Sequence, residues 1–361
     1  MNLLRTRIDL DAIAHNTRLV KDLVAPAELM AVVKADAYGH GADRVAKVMA
    51  DNGADRFGVA TIAEAVALTE HTELPVLAWI WSADEDLAEP LSRGVELGVP
   101  SLTHARALVD AAIPARVAVM ADTGMHRSGI DEAHWEEAFT LLRDAEHLTV
   151  TGVFSHLACA DEPQDPFTDA QAEVFRRAVA LGRGLGLDLP INHLTNSPAT
   201  LTRPDLYFDQ VRPGLILYGL DPLPGDHGLT PAMTWAGDVV VVKPIKAGEG
   251  TSYSLTWRAE QDGYLAVIPC GYADGLPRRV QGALEVGIGG KLYPQVGRVC
   301  MDQIIVDLGE NPYGVAQGDE AVIFGPGGMS AAELADMLGT INYEVACLPK
   351  GRTVRTYEGG L

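Results

Sequence analysis

The chain has 361 residues, a length that suits two ordinary domains or one barrel with an added domain. Hydrophobic residues make up 47% and charged residues 21% of it, a balance typical of a soluble globular protein with a sizeable core. The formal net charge of -21 would repel phosphate backbones, and no cluster of lysine and arginine offsets it. The composition therefore argues against a nucleic-acid-binding protein.

The amino-terminal segment lacks the pattern of a secretory signal. Charged residues at positions 5, 7, 9 and 11 interrupt it before an apolar stretch could form, so we expect no signal peptide. No run approaches the roughly 18 apolar residues needed to span a bilayer. The cysteines form no C-x-x-C pair, which predicts reduced thiols and a cytoplasmic location. They are Cys159, Cys270, Cys300 and Cys347.

Over the first two-thirds of the chain, short apolar runs alternate with amphipathic stretches, which predicts repeated strand–helix units. Eight candidate strands lie at residues 31–34, 57–60, 76–80, 96–99, 117–121, 150–155, 191–195 and 210–216. Helical patterns lie at residues 11–24, 42–52, 61–69, 105–112, 132–145 and 169–186. Eight such units predict an α/β fold, a (β/α)8 TIM-type barrel, because the strands are too continuously apolar for a half-exposed sheet. A doubly wound open sheet is the alternative, because strand order is not visible in a sequence.

The pattern changes after a turn-rich junction at residues 222–228. Strand-like runs follow at residues 238–245, 264–269, 283–288, 303–307 and 320–324, and a helical pattern returns only at residues 331–338. We therefore predict a barrel domain over residues 1–235 and a mostly β carboxyl-terminal domain over residues 236–361.

In a (β/α)8 barrel, the reacting groups lie where strands end and the loops to the helices begin. The predicted strand ends carry Lys34, the segment 122–127, His156, the pair Asn196 and Ser197, and the segment 212–215. No H-x-x-H pattern or cluster of carboxylates is present, so we expect no metal site.

Lys34 closes an apolar run and opens the polar loop ADAYGHG. An amine partly withdrawn from water there could form a Schiff base, although a surface lysine extending from a strand end fits the position equally well.

Ser197 and Gly214 follow the last two strands, where barrels commonly bind phosphate and where a glycine lets backbone amides approach an anion. Arg212 beside them could equally form a structural salt bridge.

Three further residues are candidates. Arg127, in MADTGMHRSGI, could grip a substrate carboxylate through paired donors. Asp122, in the same segment, is as likely to cap a turn as to take part in the chemistry. His156, in VFSHLACAD, could stack on an aromatic cofactor, but a lone histidine near an apolar strand is more often a packed core residue.

Ten segments, in chain order, resemble the motifs of the alanine racemase family. They are RIDLDAIAHN, VVKADAYGHG, DTGMHRSG, VFSHLACAD, HLTNSPATL, VRPGLILYGL, TSYSLTW, GYADGLPR, VGRVCMD and INYEVAC. Their joint presence over nearly the whole chain is specific. The resemblance implies an enzyme dependent on pyridoxal 5'-phosphate (PLP) that interconverts L-alanine and D-alanine for peptidoglycan, and that works as a homodimer with shared active sites.

Matching the motifs assigns a role to each candidate. Lys34 would bind PLP covalently and act as the base for the D-enantiomer, and Tyr253 would be the base for the L-enantiomer. Arg212 would face the pyridine nitrogen, His156 would lie beside the ring, and Arg127 would lie near the phenolic oxygen and the substrate carboxylate. The remaining implied cofactor-binding residues, mostly at the phosphate, are Tyr38, Asn196, Ser197, Gly214, Leu215 and Tyr343.

A second implied set shapes access to the substrate. Met301 would reach the site together with Tyr253 from the carboxyl-terminal domain of the partner subunit, in a head-to-tail dimer. A constricted access channel would be lined by Tyr272, Arg278, Arg298, Ile341, Tyr343 and Asp161. A narrow channel favours alanine and would tolerate serine.

The sequence departs from the family pattern at Met120. Many members have a lysine there, two residues before the DTG aspartate, and its carbamylated amine braces the arginine that Arg127 matches. A thioether cannot form a carbamate. We therefore expect Arg127 to be oriented by another acceptor, a bound anion or water, and the activity not to depend on bicarbonate.

Two other functions stay open at this stage. A barrel-type PLP decarboxylase acting on diamino acids would share the barrel and the cofactor, but its motifs differ. A non-catalytic PLP-binding protein would also use a barrel, but such carriers lack a β domain like the one predicted after residue 236.

Overall fold

The computed structural model describes residues 2–360, which divide into two compact units. The barrel unit comprises Ile13–Ala37 and Gly41–Leu229. The β unit comprises the residues up to Ala12, Tyr38–His40, and the residues from Thr230 onward. Among residues 2–360, no helix is both long enough and apolar enough to cross a membrane.

Seven strands of the barrel unit form one parallel sheet. They are Glu28–Val32, Arg56–Thr61, Val76–Ile80, Glu96–Val99, Ala115–Met120, Leu148–Phe154 and Gln210–Val211. The first six pair in chain order, and the last pairs with the first.

The extended segment around His193 is the eighth member of the barrel. Its backbone bridges Phe154 on one side and Gln210 on the other, both in parallel. Gly152 permits the close approach, because a Cβ atom there would lie 1.6 Å from the carbonyl oxygen of Ile191. The sheet therefore closes on itself, which confirms the predicted (β/α)8 barrel and rules out the open doubly wound alternative.

The helices alternate with these strands, and each buries an apolar face. The α-helices are Leu10–Val24, Ala42–Asp51, Ile62–Leu68, Ala88–Ser92, Leu102–Ala111, Trp135–Asp144, Phe167–Gly184 and Ser197–Thr202. Short 3-10 helices lie at Glu132–His134, Pro204–Leu206 and Leu215–Tyr218. In Ala42–Asp51, for example, Val45, Ala46 and Met49 share the buried face, as a 3.6-residue period requires.

The β unit is built on a nine-stranded sheet. Its spatial order is Val241–Ile245, Gly263–Ile268, Ile304–Gly309, Lys291–Val296, Glu285–Ile288, Glu320–Phe324, Met233–Asp238, Leu4–Asp9 and Val354–Glu358. Neighbours are antiparallel except for the last pair. Gly250–Thr251 and Trp257–Arg258 form a separate two-stranded sheet, and the α-helices are Ala331–Leu338 and Asn342–Ala346. The 3-10 helices are Tyr253–Leu255, Tyr272–Asp274 and Arg278–Val280.

The predicted and observed elements differ mainly at one strand that was not predicted and at two predicted runs that are each two separate elements. The strand Leu4–Asp9, whose residues alternate between buried and half-buried, was not predicted, because it becomes part of a sheet only by pairing with a strand more than 200 residues away. The single run predicted at residues 238–245 is two strands, Met233–Asp238 and Val241–Ile245. The run predicted at 210–216 is a two-residue strand followed by a 3-10 helix.

Candidate active site

Lys34 follows the first barrel strand and begins a left-handed turn. The next four residues, 35–38, have φ angles between 52° and 55°. This region costs non-glycine residues about 1–2 kcal/mol each, so the turn needs support. Glu64 provides it, because its carboxylate accepts hydrogen bonds from the backbone N–H groups of Ala35 at 2.7 Å and of Ala60 at 2.9 Å.

Three positive charges act on His156, which follows the sixth strand. Desolvation by burial lowers the pKa of His156 well below its usual value, and the charges of Arg212, Arg127 and Lys34 lower it further. No carboxylate is among the groups acting on this imidazole. The ring is therefore neutral at neutral pH, and the excess of positive charge around it suits an anionic ligand.

Arg212 follows the last strand and is buried, with 6% of its surface exposed. Its Nη1 donates to Nδ1 of His193 at 2.6 Å, and its Nη2 donates to the carbonyl oxygen of Ser155 at 2.5 Å. The same Nη2 lies 3.3 Å from Nδ1 of His156. Burial, followed by the charge of Arg127, lowers the pKa of Arg212 to about 10, which leaves the guanidinium protonated at neutral pH.

His193 contacts the candidate site residue Arg212 and was not among the residues predicted from sequence. Burial lowers its pKa well below the usual value, and Arg212 and Arg56 lower it further, so the ring is neutral and can accept the hydrogen bond from Arg212. The ring also stacks on Phe154, with centroids 5.2 Å apart and planes 9° apart. The sequence places His193 at the start of HLTNSPATL, inside a predicted strand. A strand pattern of this kind does not show whether the side chain points into the barrel.

Ser197 and Gly214 are brought together beyond the last two members of the barrel. The backbone N–H of Gly214 donates to Oγ of Ser197 at 3.0 Å. Asn196 caps the helix Ser197–Thr202 through its side chain, and Leu215 begins a 3-10 helix. A hydroxyl group, backbone amides and two helix starts in one place are donors that suit a phosphate group.

Arg127 lies in a closed loop after the strand that ends at Met120. The Asp122 carboxylate accepts hydrogen bonds from the backbone of Gly124 at 2.9 Å and of His126 at 3.1 Å, and it pairs with Nδ1 of His126 at 3.0 Å. Burial acts to raise the pKa of Asp122, but these contacts outweigh it and the pKa lies below its usual value. Asp122 is thus a turn cap, and the exposed Arg127 has no ion-pair partner among residues 2–360.

Met120 points into the barrel and is 6% exposed. Its side chain belongs to an apolar cluster with Met30, Leu77, Ala118 and Phe154. The Ser128 hydroxyl contacts its sulfur at 3.4 Å. At this position the chain therefore offers core packing and no carboxylate to brace Arg127.

The β unit carries the predicted substrate-side residues. Tyr253 and Met301 are 69% and 51% exposed. They line a hollow of about 340 Å³ together with Ser252, Cys300, Asp302 and Gln303. Tyr272 is 42% exposed. Large apolar side chains exposed together are typical of a surface that another molecule covers.

Two tyrosines of the predicted phosphate set lie close together in the β unit. The rings of Tyr38 and Tyr343 have centroids 6.2 Å apart. Burial, followed by the nearby Tyr343 and Cys347, raises the pKa of Tyr38, so its phenol keeps its proton and can donate a hydrogen bond. Of the remaining channel residues, Asp161, Arg278 and Ile341 are exposed and Arg298 is half-buried.

Family comparisons agree over both parts of the chain. The family model described as the alanine racemase N-terminal domain matches residues 8–222, and the one described as the alanine racemase C-terminal domain matches residues 232–357. An alanine racemase from Corynebacterium efficiens is 65% identical, and the match covers 99% of each chain. The chain belongs to the alanine racemase family.

Further alanine racemases match in sequence and in fold. One from Mycobacterium tuberculosis is 47% identical over 97% of this chain and 95% of its own. The crystal structure of the Corynebacterium glutamicum enzyme has 53% identity and a TM-score of 0.92, covering 99% of this chain and 100% of its own. The alanine racemase of Streptomyces coelicolor has 38% identity and a TM-score of 0.95, covering 100% and 99%. The resemblance found in the sequence is confirmed, as is the barrel with its mostly β partner domain.

Proposed function

We propose that the protein is a PLP-dependent racemase that interconverts L-alanine and D-alanine and supplies the D-enantiomer for peptidoglycan. The observation that carries this proposal is the cationic cluster around a neutral His156 in a chain 65% identical to an alanine racemase. The related proteins favour neither a decarboxylase nor a non-catalytic carrier.

The residues of the barrel unit fit PLP. Lys34 would hold the cofactor covalently, and Ser197 and Gly214, which contact each other, would hold its phosphate. Arg212 would donate to the ring nitrogen, and the neutral His156 would lie against the ring. Further phosphate-side ligands would be Tyr38, Asn196, Leu215 and Tyr343. When bound, PLP would make the α-hydrogen of an amino acid acidic by delocalising the charge left on the carbon.

The chain's own groups would then move the proton. Inversion needs a base on each face of the α-carbon, because a single base tends to return the proton to the side it left. We assign the D side to Nζ of Lys34 and the L side to Oη of Tyr253. Arg127 would grip the substrate carboxylate through paired donors, and Arg212, which keeps its own proton at neutral pH, would donate a hydrogen bond without transferring a proton.

The site would be completed by a second copy of the chain. We propose a homodimer in which the carboxyl-terminal domain, residues 236–361, lends Tyr253 and Met301 to the barrel domain of the partner, residues 1–235. The exposure of both side chains supports this, since an interface would cover them. A narrow channel suited to alanine would be lined by Tyr272, Arg278, Arg298, Ile341, Tyr343 and Asp161. A cytoplasmic location stays a prediction.

Incubating the purified enzyme with L-alanine in deuterated water tests the function. We expect D-alanine carrying α-deuterium to form, to stop forming when PLP is removed with hydroxylamine, and to form again when PLP is restored. Release of carbon dioxide from lysine, ornithine or diaminopimelate, without racemisation, would favour the decarboxylase. Binding of PLP without any exchange of the α-hydrogen would favour the carrier.

A further inference from the structure

Arg352 joins two segments of the β unit that carry proposed substrate-site residues. Its Nε and Nη2 donate to the two carboxylate oxygens of Asp274 at 2.8 Å and 2.7 Å. Its Nη1 donates to Oδ1 of Asp302 at 2.7 Å. Three charge-assisted hydrogen bonds from one planar group fix the two aspartates relative to each other. We call these three residues the Arg352 clamp.

Each aspartate of the Arg352 clamp is close in sequence to a proposed site residue. Tyr272 begins the 3-10 helix that ends at Asp274, and Met301 directly precedes Asp302. The fully buried Asp274 carboxylate also accepts the backbone N–H of Gly271 at 3.0 Å. It therefore closes the turn on which Tyr272 lies.

The backbone joins the same two segments on the other side of Met301. The N–H of Tyr272 donates to the carbonyl oxygen of Cys300 at 3.1 Å, and that of Ala273 donates to the carbonyl oxygen of Met301 at 3.0 Å. Gly271 makes this approach possible, because a Cβ atom there would lie 2.3 Å from the Met301 carbonyl oxygen. The backbone of Met301 is thus fixed by its hydrogen bond to residues 271–273 and, through the next residue, Asp302, by the Arg352 clamp.

The hollow described above links this arrangement to the proposed base. Asp302 lines it together with Tyr253 and Met301. The hydroxyl of Ser252, next to Tyr253, donates to the carbonyl oxygen of Arg298 at 2.7 Å, two residues before Cys300. The segment 298–302 therefore connects the backbone that carries Tyr253 to the Arg352 clamp.

We propose that Arg352 is a positioning residue for racemisation. Through Asp274 and Asp302 it holds Tyr272 and Met301 in the geometry in which they line the substrate site of the partner subunit. Arg352 itself touches neither substrate nor cofactor. The inference rests on the proposed function, which assigns Tyr272 and Met301 to that site.

The clamp can be weakened without removing Arg352. Truncating Arg352 would leave the buried Asp274 carboxylate without its partner, a change that commonly unfolds a protein. The Asp302 side chain is 61% exposed, so Asp302→Asn removes the charge from one arm of the clamp, and with it the charge-assisted part of the hydrogen bond to Arg352, at little cost to folding. Asp262→Asn is the matched control, because Asp262 is 63% exposed and pairs with Lys246 at 2.8 Å in the same unit.

Steady-state kinetics with L-alanine at saturating PLP then test the proposal. Asp302→Asn should raise KM about fivefold and change kcat less than about twofold. This pattern indicates the loss of contacts that bind the substrate and the transition state equally well. Asp302→Glu, which keeps the carboxylate, should bring KM back to within about twofold of the unmodified enzyme. Asp262→Asn should leave both parameters unchanged. A purely structural role would lower the amount of folded enzyme without moving KM.

A double-mutant cycle identifies the group through which the clamp acts. In a Met301→Ala background, Asp302→Asn should change KM less than about 1.5-fold, because the side chain it positions is absent. The inference is overturned if Asp302→Asn gives the KM of the Asp262→Asn control, or if the two effects multiply. Failure of the proposed function is distinct from both outcomes, since the unmodified enzyme would then not racemise alanine.

Discussion

The two proposed bases have contrasting surroundings. Lys34 lies at the end of a buried strand, in a turn held by Glu64, whereas the Tyr253 side chain is 69% exposed in the single chain. An exposed phenol acquires a fixed position only when another surface covers it. This contrast supports the proposal that the D-side base belongs to the barrel expected to bind PLP and that the L-side base comes from a second copy of the chain.

Tyr253→Phe should separate the two bases. Because the two enantiomers of alanine have equal free energies, kcat/KM for racemisation must fall equally in both directions, by about 10²- to 10⁴-fold for loss of a general base. Exchange of the α-hydrogen in deuterated water should still proceed from D-alanine, with retention, because Lys34 is intact. Exchange of the α-hydrogen from L-alanine should be lost to the same extent as racemisation.

Tyr313→Phe serves as the control, because Tyr313 is 65% exposed in the same unit and has no proposed role. Nuclear magnetic resonance of recovered alanine measures both exchange rates. Equal loss of exchange from the two enantiomers would remove Tyr253 from its role as the L-side base.

Met120 predicts that the activity does not depend on bicarbonate. A buried thioether cannot carry a carbamate, so removing bicarbonate by degassing should change kcat/KM by less than about 1.5-fold. Met120→Leu, which conserves volume, should keep most of the activity. A clear loss of activity that added bicarbonate restores would show that another residue forms the carbamate.

Some residues of the site can be predicted from sequence and others cannot. Lys34 and Arg212 could be proposed from sequence because they lie at the ends of apolar runs within motifs. His193 and Glu64 were not, because their roles come from partners distant in sequence, namely Arg212 and the backbone of Ala35. Such contacts depend on how the barrel closes, which no local pattern reveals.

At the scale of single elements, the left-handed turn at residues 35–38 places four consecutive non-glycine residues at positive φ. The Glu64 carboxylate accepts a hydrogen bond from the backbone of this turn and also closes the capping box at the start of the helix Ile62–Leu68. One carboxylate thus couples two neighbouring βα loops of the barrel. The conformation that presents Lys34 depends on that coupling.

Glu64→Ala should therefore destabilise the protein and weaken its hold on PLP. We expect the free energy of unfolding to fall by about 2 kcal/mol, since charged hydrogen bonds to backbone N–H groups are lost. Urea unfolding and a PLP titration measure the two effects. Glu89→Ala, which removes an exposed i,i+4 pair with Arg93, should cost less than about 0.5 kcal/mol. Equal effects of the two substitutions would contradict the proposed support of the turn.

The prediction of elements succeeded where periodicity is strong. Val76–Ile80, Glu96–Val99, Glu320–Phe324 and Ala331–Leu338 lie where the patterns placed them. The strand Leu4–Asp9 was missed because its partners are more than 200 residues away, and only that pairing makes it part of a sheet. The eighth barrel member was predicted at residues 191–195, but its pairing is limited to the bridges of His193 with Phe154 and Gln210.

For the whole molecule, the buried histidines make stability depend on pH. His193 is 2% exposed and burial, then Arg212 and Arg56, hold its pKa well below the usual value. The native state therefore stays unprotonated at His193 in the range below about pH 6.5 where the unfolded chain takes up a proton. The unfolded state binds more protons there, so the free energy of unfolding falls as the pH falls.

His193→Gln should reduce this dependence while keeping an acceptor for Arg212. Between about pH 6 and about pH 5, the slope of unfolding free energy against pH should decrease by about 1 kcal/mol per pH unit. Urea unfolding at a series of pH values measures it. An unchanged slope for His193→Gln would show that His193 takes up its proton as readily in the native state as in the unfolded chain, which would contradict the account.

The most direct measurement mixes two damaged subunits in one dimer. Lys34→Ala and Tyr253→Phe chains are produced together with different affinity tags, and the heterodimer is purified with both. Each variant alone should be nearly inactive. If the two bases come from separate chains, one site of the heterodimer is intact and the other has neither base, so about half of the unmodified activity should appear. Activity no higher than the sum of the two separate variants would contradict a site shared between subunits.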